Sequence, residues 1–336
     1  MKLNIIILIL MCCIYSCGNE STFQNRFVSD IPLEVHSFFE YEDGNIIRMW
    51  ADDDLIYISS DPDNAVKLFD YSGNLSATFG KNGEAPWENG TVWGFGKDSD
   101  AYWVHDYPKM ALKKYALEND SMLFFRRFET KHNVLYVGDN RFLIPRFDVE
   151  DGVFYISLYD AIDDTFIKEI DICKLTNIFD KLPPFGDYTF QGDFCKNDEG
   201  QAIFFCMFNS SFFFMDTELD KIKHYTDIRA LPISKPIVSN QQIRLDPMNC
   251  GILTGTLDEE YVYFISPKYK ETMWYNVKDF LLDIYDINSK EYIKSFDIPL
   301  WQGKYPPLKI SKTSHGLVVA YYGGIIVVYN DFSMHI

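Results

Sequence analysis

From residue 26 onward, the chain alternates short apolar runs with polar turn residues. The runs are four to seven residues long and rich in Ile, Val, Phe and Tyr, and clusters of Asp, Asn and Gly separate them. This pattern is typical of β-strands joined by tight turns. Sustained helical periodicity is nearly absent, and the two short helical candidates are residues 171–181 and 277–282. The pattern therefore predicts an all-β fold.

One short motif recurs along the chain: an aromatic or apolar residue, then an acid or amide, then a turn. Its clearest copy is residues 68–73 (LFDYSG). The equivalent positions in the six copies are Phe69, Tyr115, Tyr159, Met215, Tyr285 and Tyr329. The spacings between them are 46, 44, 56, 70 and 44 residues. Repeats of about 40–50 residues with four strands each indicate β-propeller blades, so the sequence predicts six blades.

The strands of the first and last repeats suggest how the ring closes. The first repeat contains four strands, at 46–50, 55–59, 65–70 and 75–79. The last repeat contains only three, at 308–311, 317–321 and 325–329. We expect residues 27–38 to supply the missing outer strand of the sixth blade. Such a closure covers a strand edge that would otherwise invite aggregation.

The first repeat also carries a motif found in a known family. In residues 65–88 (AVKLFDYSGNLSATFGKNGEAPWE), Asp70 and Gly73 form an Asp-x-x-Gly turn, and Phe79 precedes a Gly-Lys-x-Gly turn. This stretch resembles the repeat of NHL-like and TolB-like six-bladed β-propeller lipoproteins of Bacteroidetes. The resemblance implies a six-bladed propeller over residues 26–336 and a place in the cell envelope. It implies no particular activity, because a fold does not fix a function.

The amino terminus has the features of a processed targeting segment. Lys2 gives it a positive start, and residues 4–14 form an apolar run of signal-peptide length. Residues 14–18 (IYSCG) resemble the lipobox of bacterial lipoproteins, which implies cleavage after residue 16 and acylation of Cys17. The predicted organisation is a signal peptide at 1–16, a lipid-anchored polar tether at 17–25 and the propeller at 26–336. The alternative is an ordinary secretory signal in which Cys17 merely lies near the cleavage point.

The charge of the chain limits its partners. It has 31 Lys+Arg against 49 Asp+Glu, a formal net charge of −18. Phosphate binding requires a basic face, so the composition excludes a nucleic-acid partner. An acidic body is not drawn to anionic lipid, so membrane attachment depends on the lipid at Cys17. Because Gly18 is not acidic, we expect the anchor to lie in the outer membrane.

Catalytic and cofactor motifs are hard to find in this sequence. The six histidines have no metal-type spacing, and neither a P-loop nor a G-x-S-x-G motif occurs. Some six-bladed propellers are lactonases that bind Ca²⁺ through channel acids. The predicted inner strands carry few acids, with Asp187 and Asp193 bordering one of them. The sequence favours a protein that is not an enzyme and has no cofactor; the alternative is a lactonase-like hydrolase or lyase with Ca²⁺ at the channel mouth.

Four cysteines lie within the predicted propeller: Cys173, Cys195, Cys206 and Cys250. An exported protein can form disulfides, but their spacing does not identify a pair.

The candidate binding residues are aromatic. Three insertions, 171–191, 231–250 and 266–280, lengthen the repeat, and long loops on a rigid scaffold commonly carry binding surfaces. Aromatic rings near turns or insertions suit sugar rings or protein partners, although rings also pack between blades. The candidates are Trp87, Trp93, Trp274, Trp301 and Tyr269. The sequence thus predicts a scaffold that presents its loops and channel mouth to a protein, peptide or glycan.

Overall fold

The computed structural model describes residues 26–336, except residues 129, 131, 240 and 241. Cys17 and the predicted signal peptide lie outside these residues. The described chain forms a six-bladed β-propeller, in which the innermost strands of successive blades surround a central channel. Within the same residues, no helix has the length and apolar character needed to cross a membrane.

The first three blades each use four consecutive strands. Blade 1 contains β2 (Gly44–Ala51), β3 (Ile56–Pro62), β4 (Val66–Phe69) and β5 (Leu75–Phe79). Blade 2 contains β6 (Val92–Lys97), β7 (Ala101–Asp106), β8 (Ala111–Ala116) and β9 (Met122–Arg127). Blade 3 contains β10 (Leu135–Gly138), β11 (Arg141–Asp148), β12 (Val153–Asp160) and β13 (Thr165–Asp171).

The second half of the chain adds a hairpin between two blades. Blade 4 contains β14 (Gly192–Lys196), β15 (Gln201–Cys206), β16 (Ser211–Asp216) and β17 (Ile222–Thr226). The hairpin consists of β18 (Lys235–Ser239) and β19 (Gln242–Asp246). Blade 5 contains β20 (Thr254–Leu257), β21 (Tyr261–Pro267), β22 (Phe280–Asp286) and β23 (Tyr292–Ile298). Blade 6 contains β24 (Pro307–Thr313), β25 (Gly316–Tyr321), β26 (Ile325–Tyr329) and, from the other end of the chain, β1 (Val35–Glu40).

The amino-terminal strand closes the ring, as the incomplete last repeat predicted. β1 pairs antiparallel with β26, so that Val35 lies opposite Tyr329. The strand begins later than expected because the residues before it are bound elsewhere. The backbone of residues 27–29 forms hydrogen bonds with the backbone of Ser295 in blade 5. The Arg26 guanidinium forms a buried ion pair with Asp283 at 2.5 Å.

The recurrent motif marks the same strand in every blade, and this confirms the predicted blade number. All six repeat positions lie in the third strand, namely in β4, β8, β12, β16, β22 and β26. In blades 1, 3, 4 and 5, the aspartate after this position caps the turn to the outer strand. Asp70 Oδ1 accepts hydrogen bonds from the backbone N–H groups of Ser72 and Asn74, both at 2.9 Å. Gly73 has φ +83°, a conformation that other residues adopt with strain.

One of the two expected helices is present, and the other prediction is wrong. Helix α1 (Ile172–Thr176) lies within the first candidate, and the Asp171 side chain caps it by accepting from Lys174 N at 2.9 Å. The second candidate, 277–282, runs into β22 instead. Nearly all of β22 is buried between β21 and β23, and a strand buried on both faces lacks the alternation that identifies strands in a sequence.

The core consists of apolar layers between neighbouring blades, filled largely by aromatic rings. Trp103, for example, is fully buried and meets Phe142 edge-on at 5.2 Å between ring centroids. The four cysteines of the propeller are free thiols. Burial raises the pKa of Cys250 to about 12, so its thiol stays protonated.

Candidate functional site

Strand order places the three insertions on one face of the disc. The chain reverses direction at each strand of a blade, so all second-to-third-strand turns and all blade-to-blade connections lie at the same end of the strands. Insertions 171–191 and 231–250 connect blades, and insertion 266–280 joins the second and third strands of blade 5. We call this end the insertion face and the other end the opposite face.

The insertions contact one another over blades 3 to 5. The Cys250 N–H donates to the Glu271 carbonyl at 2.8 Å, which joins two insertions. The ammonium of Lys235, at the start of the hairpin, lies 5.2 Å from the Phe179 ring of the first insertion. Arg229, ion-paired with Asp227, donates to the Cys250 carbonyl at 3.1 Å. The insertions therefore form a continuous layer rather than three separate loops.

Exposed apolar side chains are distributed unequally between the two faces. Among the described residues, eight large exposed hydrophobic side chains lie in turns and connections of the insertion face: Trp87, Val149, Ile178, Phe185, Tyr188, Tyr269, Tyr275 and Tyr322. In the turns and at the chain end of the opposite face, two do, Ile162 and Met334. The insertion face thus has the composition of a contact surface.

All five predicted aromatic residues lie toward the insertion face, but only two are largely exposed. Trp87 is 55% exposed, in the connection between blades 1 and 2. Tyr269 is 43% exposed and lines a shallow depression together with Tyr275, its more exposed neighbour at 83%.

The other three predicted residues are half-buried and pack against neighbouring rings or apolar side chains. Trp93 stacks on Tyr107, with ring centroids 3.9 Å apart. Trp301 lies 5.0 Å from Phe38, and Trp274 packs on the core between blades 5 and 6. Packing thus accounts for most of the surface of these three side chains.

The central channel holds a second candidate site, with two cations, Arg48 and Lys309, that the sequence reasoning missed. Residues from all six innermost strands line a cavity of about 370 Å³, within the range of small-molecule sites. Several lining residues, among them Asp52, Lys97 and Asp198, lie where first strands end and turn into second strands. The cavity therefore reaches toward the opposite face.

Two cations share one carboxylate in this cavity. Asp193 Oδ2 accepts from Arg48 Nη1 at 2.5 Å and from Lys309 Nζ at 2.6 Å. Its Oδ1 accepts from Asn133 Nδ2 and from the Phe194 N–H, both at 2.9 Å. Burial raises the pKa of Asp193, but attraction to the two cations outweighs burial and holds it below its usual value.

The strands position this cluster from three blades. Arg48 belongs to blade 1, Asp193 to blade 4 and Lys309 to blade 6. Each lies within an innermost strand, and only ring closure brings the three together. One feature of the sequence could have revealed this cluster: a cation in strands whose other channel-facing residues are mainly apolar or small.

The described part of the chain offers little to a metal ion. No group of three His, Cys, Asp or Glu side chains is arranged there to hold one. Of the two acids noted in the sequence, Asp193 binds two cations, and Asp187 lies 3.9 Å from the imidazole of His132. The Ca²⁺-dependent alternative stays a prediction.

Comparison with known proteins supports the fold. No protein-family model matches the chain, and no curated protein matches it. A Bacteroides fragilis structure, described as an exported protein, has a TM-score of 0.55 at 13% identity, covering 87% of this chain and 86% of its own. A Bacteroides vulgatus member of the DUF4221 family has a TM-score of 0.54 at 12% identity, covering 91% of this chain and 99% of its own.

A β-propeller from another setting also matches. The WD40 propeller domain of Doa1 has a TM-score of 0.50 at 11% identity, covering 90% of this chain and 98% of its own. Similarity at such identities shows a shared fold alone. The chain is a β-propeller, and the TolB-like or NHL-like subfamily stays a prediction.

Proposed function

We propose that this protein is a lipid-anchored propeller of the cell envelope that binds a protein or glycan partner through its insertion face. The observation that carries the proposal is the eight exposed hydrophobic side chains in the turns and connections of that face, against Ile162 and Met334 on the opposite face. A concentration of exposed apolar side chains on one face is typical of interaction surfaces.

The cellular address rests on the amino terminus and on one structural relative. The apolar run at 4–14 and the lipobox-like residues 14–18 support export and acylation of Cys17. The similar Bacteroides fragilis structure is described as an exported protein, which agrees with this address. The Gly-Lys-x-Gly motif of the first repeat supports a TolB-like or NHL-like origin.

The insertion face has the rigidity and chemistry that binding requires. The Lys109 ammonium donates to the carbonyls of Gly83, Ala85 and Glu88 at 2.7–2.8 Å, and so fixes the turn that carries Trp87. A ring held on a fixed turn loses little entropy on binding.

The depression in insertion 266–280 adds hydrogen-bonding groups to the rings. Tyr269 and Tyr275 lie there beside Glu271, Asn276 and Asp279. Rings next to acids and amides are the groups that bind sugars or the polar rim of a protein interface.

A pull-down from envelope extract and a glycan array would test this proposal. We expect the wild-type propeller to capture a partner and the triple variant Trp87→Ala, Tyr269→Ala, Tyr275→Ala to lose at least tenfold in affinity. Phe166→Ala is the matched control, since Phe166 is 41% exposed but lies in β13, at the rim of the disc. Equal capture by the triple variant and the control, or no capture by the wild type, would contradict the proposal.

A further inference from the structure

The channel cavity carries more positive than negative side chains, unlike the rest of the protein. Its lining contains four cationic residues, Arg48, Lys97, Lys196 and Lys309, and three anionic ones, Asp52, Asp193 and Asp198. The whole chain has a net charge of −18, so this excess of one cation is a local exception. A cavity with low-dielectric walls concentrates such a field.

The charge excess is greatest around Asp193. One carboxylate cannot neutralise both Arg48 and Lys309, and both bind the same oxygen. Arg48 Nε is buried and has no hydrogen-bond partner among the described residues. Burial, and then repulsion by Arg48, lowers the pKa of Lys309 from its ordinary value, as expected for a cation short of counter-charge.

Neighbouring titratable groups do not supply the missing negative charge. Burial lowers the pKa of His105, which interacts electrostatically with Arg48, to about 4, so this ring is neutral at pH 7. Burial raises the pKa of Cys195 well above its ordinary value, so it carries no thiolate. Asp52 already accepts from the Tyr57 hydroxyl at 2.7 Å and from two backbone N–H groups.

A further cation lies near the mouth of the cavity. Within the described residues, the Lys196 ammonium has neither a hydrogen bond nor an ion pair. Burial lowers its pKa, although Asp198 and Asp98 oppose this effect. Lys196 is therefore free to meet a ligand that enters from the opposite face.

The cavity wall between these charges is aromatic. Phe95 lies 5.7 Å from Trp50 and 5.5 Å from Tyr57, measured between ring centroids, and all three line the cavity. Such a wall suits a planar or ring-shaped apolar body, and a few convergent charges fix its orientation.

We propose that the channel binds a small monocarboxylate with a ring-shaped apolar body, the carboxylate meeting Arg48 and Lys309 and the ring lying against Trp50 and Phe95. The excess of one positive charge favours a monoanion, because a phosphate dianion would bring two negative charges and leave the cavity with a net negative charge. An arginine beside a lysine binds a carboxylate by charge-assisted hydrogen bonds. This site is separate from the insertion face, so either proposal can fail without the other.

Calorimetry with 4-bromobenzoate and its neutral amide, 4-bromobenzamide, tests the site on the propeller. We expect the carboxylate to bind at least tenfold more tightly than the amide. Lys309→Met and Lys196→Met should each weaken the carboxylate at least threefold. Asp193→Asn should tighten it, because it removes the competing carboxylate and adds one positive charge to the cavity. Lys168→Met is the matched control, because Lys168 lies on the outer strand of blade 3, paired with Asp220.

A crystal soaked with 4-bromobenzoate locates the binding position. A bromine signal in the channel, with the carboxylate within hydrogen-bond distance of Arg48 or Lys309, supports the proposal. Equal affinity for acid and amide, no binding of the acid, or an acid bound outside the channel would overturn it. So would an Asp193→Asn variant, folded by circular dichroism, that binds the carboxylate no more tightly than wild type. The Asp193→Asn test keeps every cation of the cavity, so it can contradict the proposal even if the variants that lack a cation do not fold.

Discussion

His105 is an uncharged histidine in the middle of an acidic protein. It lies in β7, is 1% exposed, and neither ring nitrogen has a hydrogen-bond partner among the described residues. Burial is the main cause of its lowered pKa; Asp106 opposes the shift and Arg48 adds to it. A histidine held neutral by burial makes stability depend on pH.

The His105→Gln variant should lose this dependence. The pKa is about 4 in the folded protein against an ordinary value of 6.5, so the unfolded chain takes up the proton first as the pH falls. The contribution of His105 is therefore intact above pH 6.5 and is lost between pH 6.5 and 4, by about 3 kcal/mol. Urea unfolding across this range should show a smaller loss in His105→Gln than in wild type. The exposed control His36→Gln should follow wild type; equal losses in all three proteins would refute this account.

A buried charge pair lies near the turn that carries Trp87. Lys113 Nζ is 2.6 Å from Asp106 Oδ2, and both side chains are fully buried. The same ammonium donates to the Glu88 carbonyl at 2.5 Å. Burial lowers the pKa of Lys113, and Asp106 opposes that shift.

Asp106→Asn should destabilise the protein by about 3–5 kcal/mol, because it leaves the Lys113 ammonium buried without a counter-charge. Guanidinium unfolding measures the loss. Adding Lys113→Met should restore part of it, since the uncompensated charge is then gone. The exposed pair of Lys168 and Asp220 provides the control, and Asp220→Asn should leave unfolding nearly unchanged. A cost for Asp106→Asn no larger than that of Asp220→Asn would show that the buried pair is not needed.

Among the strands, β1 has the pairing partner that is most distant from it in the sequence. It covers the edge of β26, nearly 300 residues later in the chain. The preceding residues add the ion pair of Arg26 with buried Asp283 and backbone bonds to Ser295. The amino-terminal segment therefore joins blades 5 and 6 as well as completing blade 6.

A variant that starts at residue 41 should aggregate or melt more than about 10 °C below wild type. It exposes the β26 edge and leaves the Asp283 carboxylate without its cation. A variant that starts at residue 26 keeps both contacts and serves as the control. Thermal melts followed by circular dichroism, with size-exclusion chromatography, distinguish the two. Similar melting and elution of both variants would show that the closure is dispensable.

The acidic surface and the proposed lipid anchor have opposite effects on the attachment of the whole protein to a membrane. A net charge of −18 repels anionic lipid, so the proposed attachment depends on acylation of Cys17.

We predict that Cys17→Ser moves the protein from the membrane fraction to the soluble fraction of the cell envelope. Cys13→Ser is the control, because Cys12 does not suit the position before an acylated cysteine. Fractionation with immunodetection, together with incorporation of labelled palmitate, measures the effect. Wild-type protein without label, or label retained in Cys17→Ser, would favour the ordinary secretory signal.

The all-β class, the number of blades and the way the ring closes could all be predicted from the amino-acid sequence. These features depend on local chemistry: the aromatic residue of the third strand, the acid that caps the next turn, and a last repeat that lacks a strand. Phe69 and Asp70 show the pattern, and Val327 and Tyr329 show the missing edge. The sequence also proposed the aromatic candidates, but it could not separate exposed Trp87 from stacked Trp93.

The positions of the candidate sites became apparent only in the folded molecule. The insertions share a face because strand direction alternates, which depends on counting strands correctly through every blade. Arg48, Asp193 and Lys309 come from blades 1, 4 and 6, and no spacing along the chain marks them as neighbours. Their meeting follows from radial convergence of the innermost strands, because a closed ring of six blades directs those strands toward one axis.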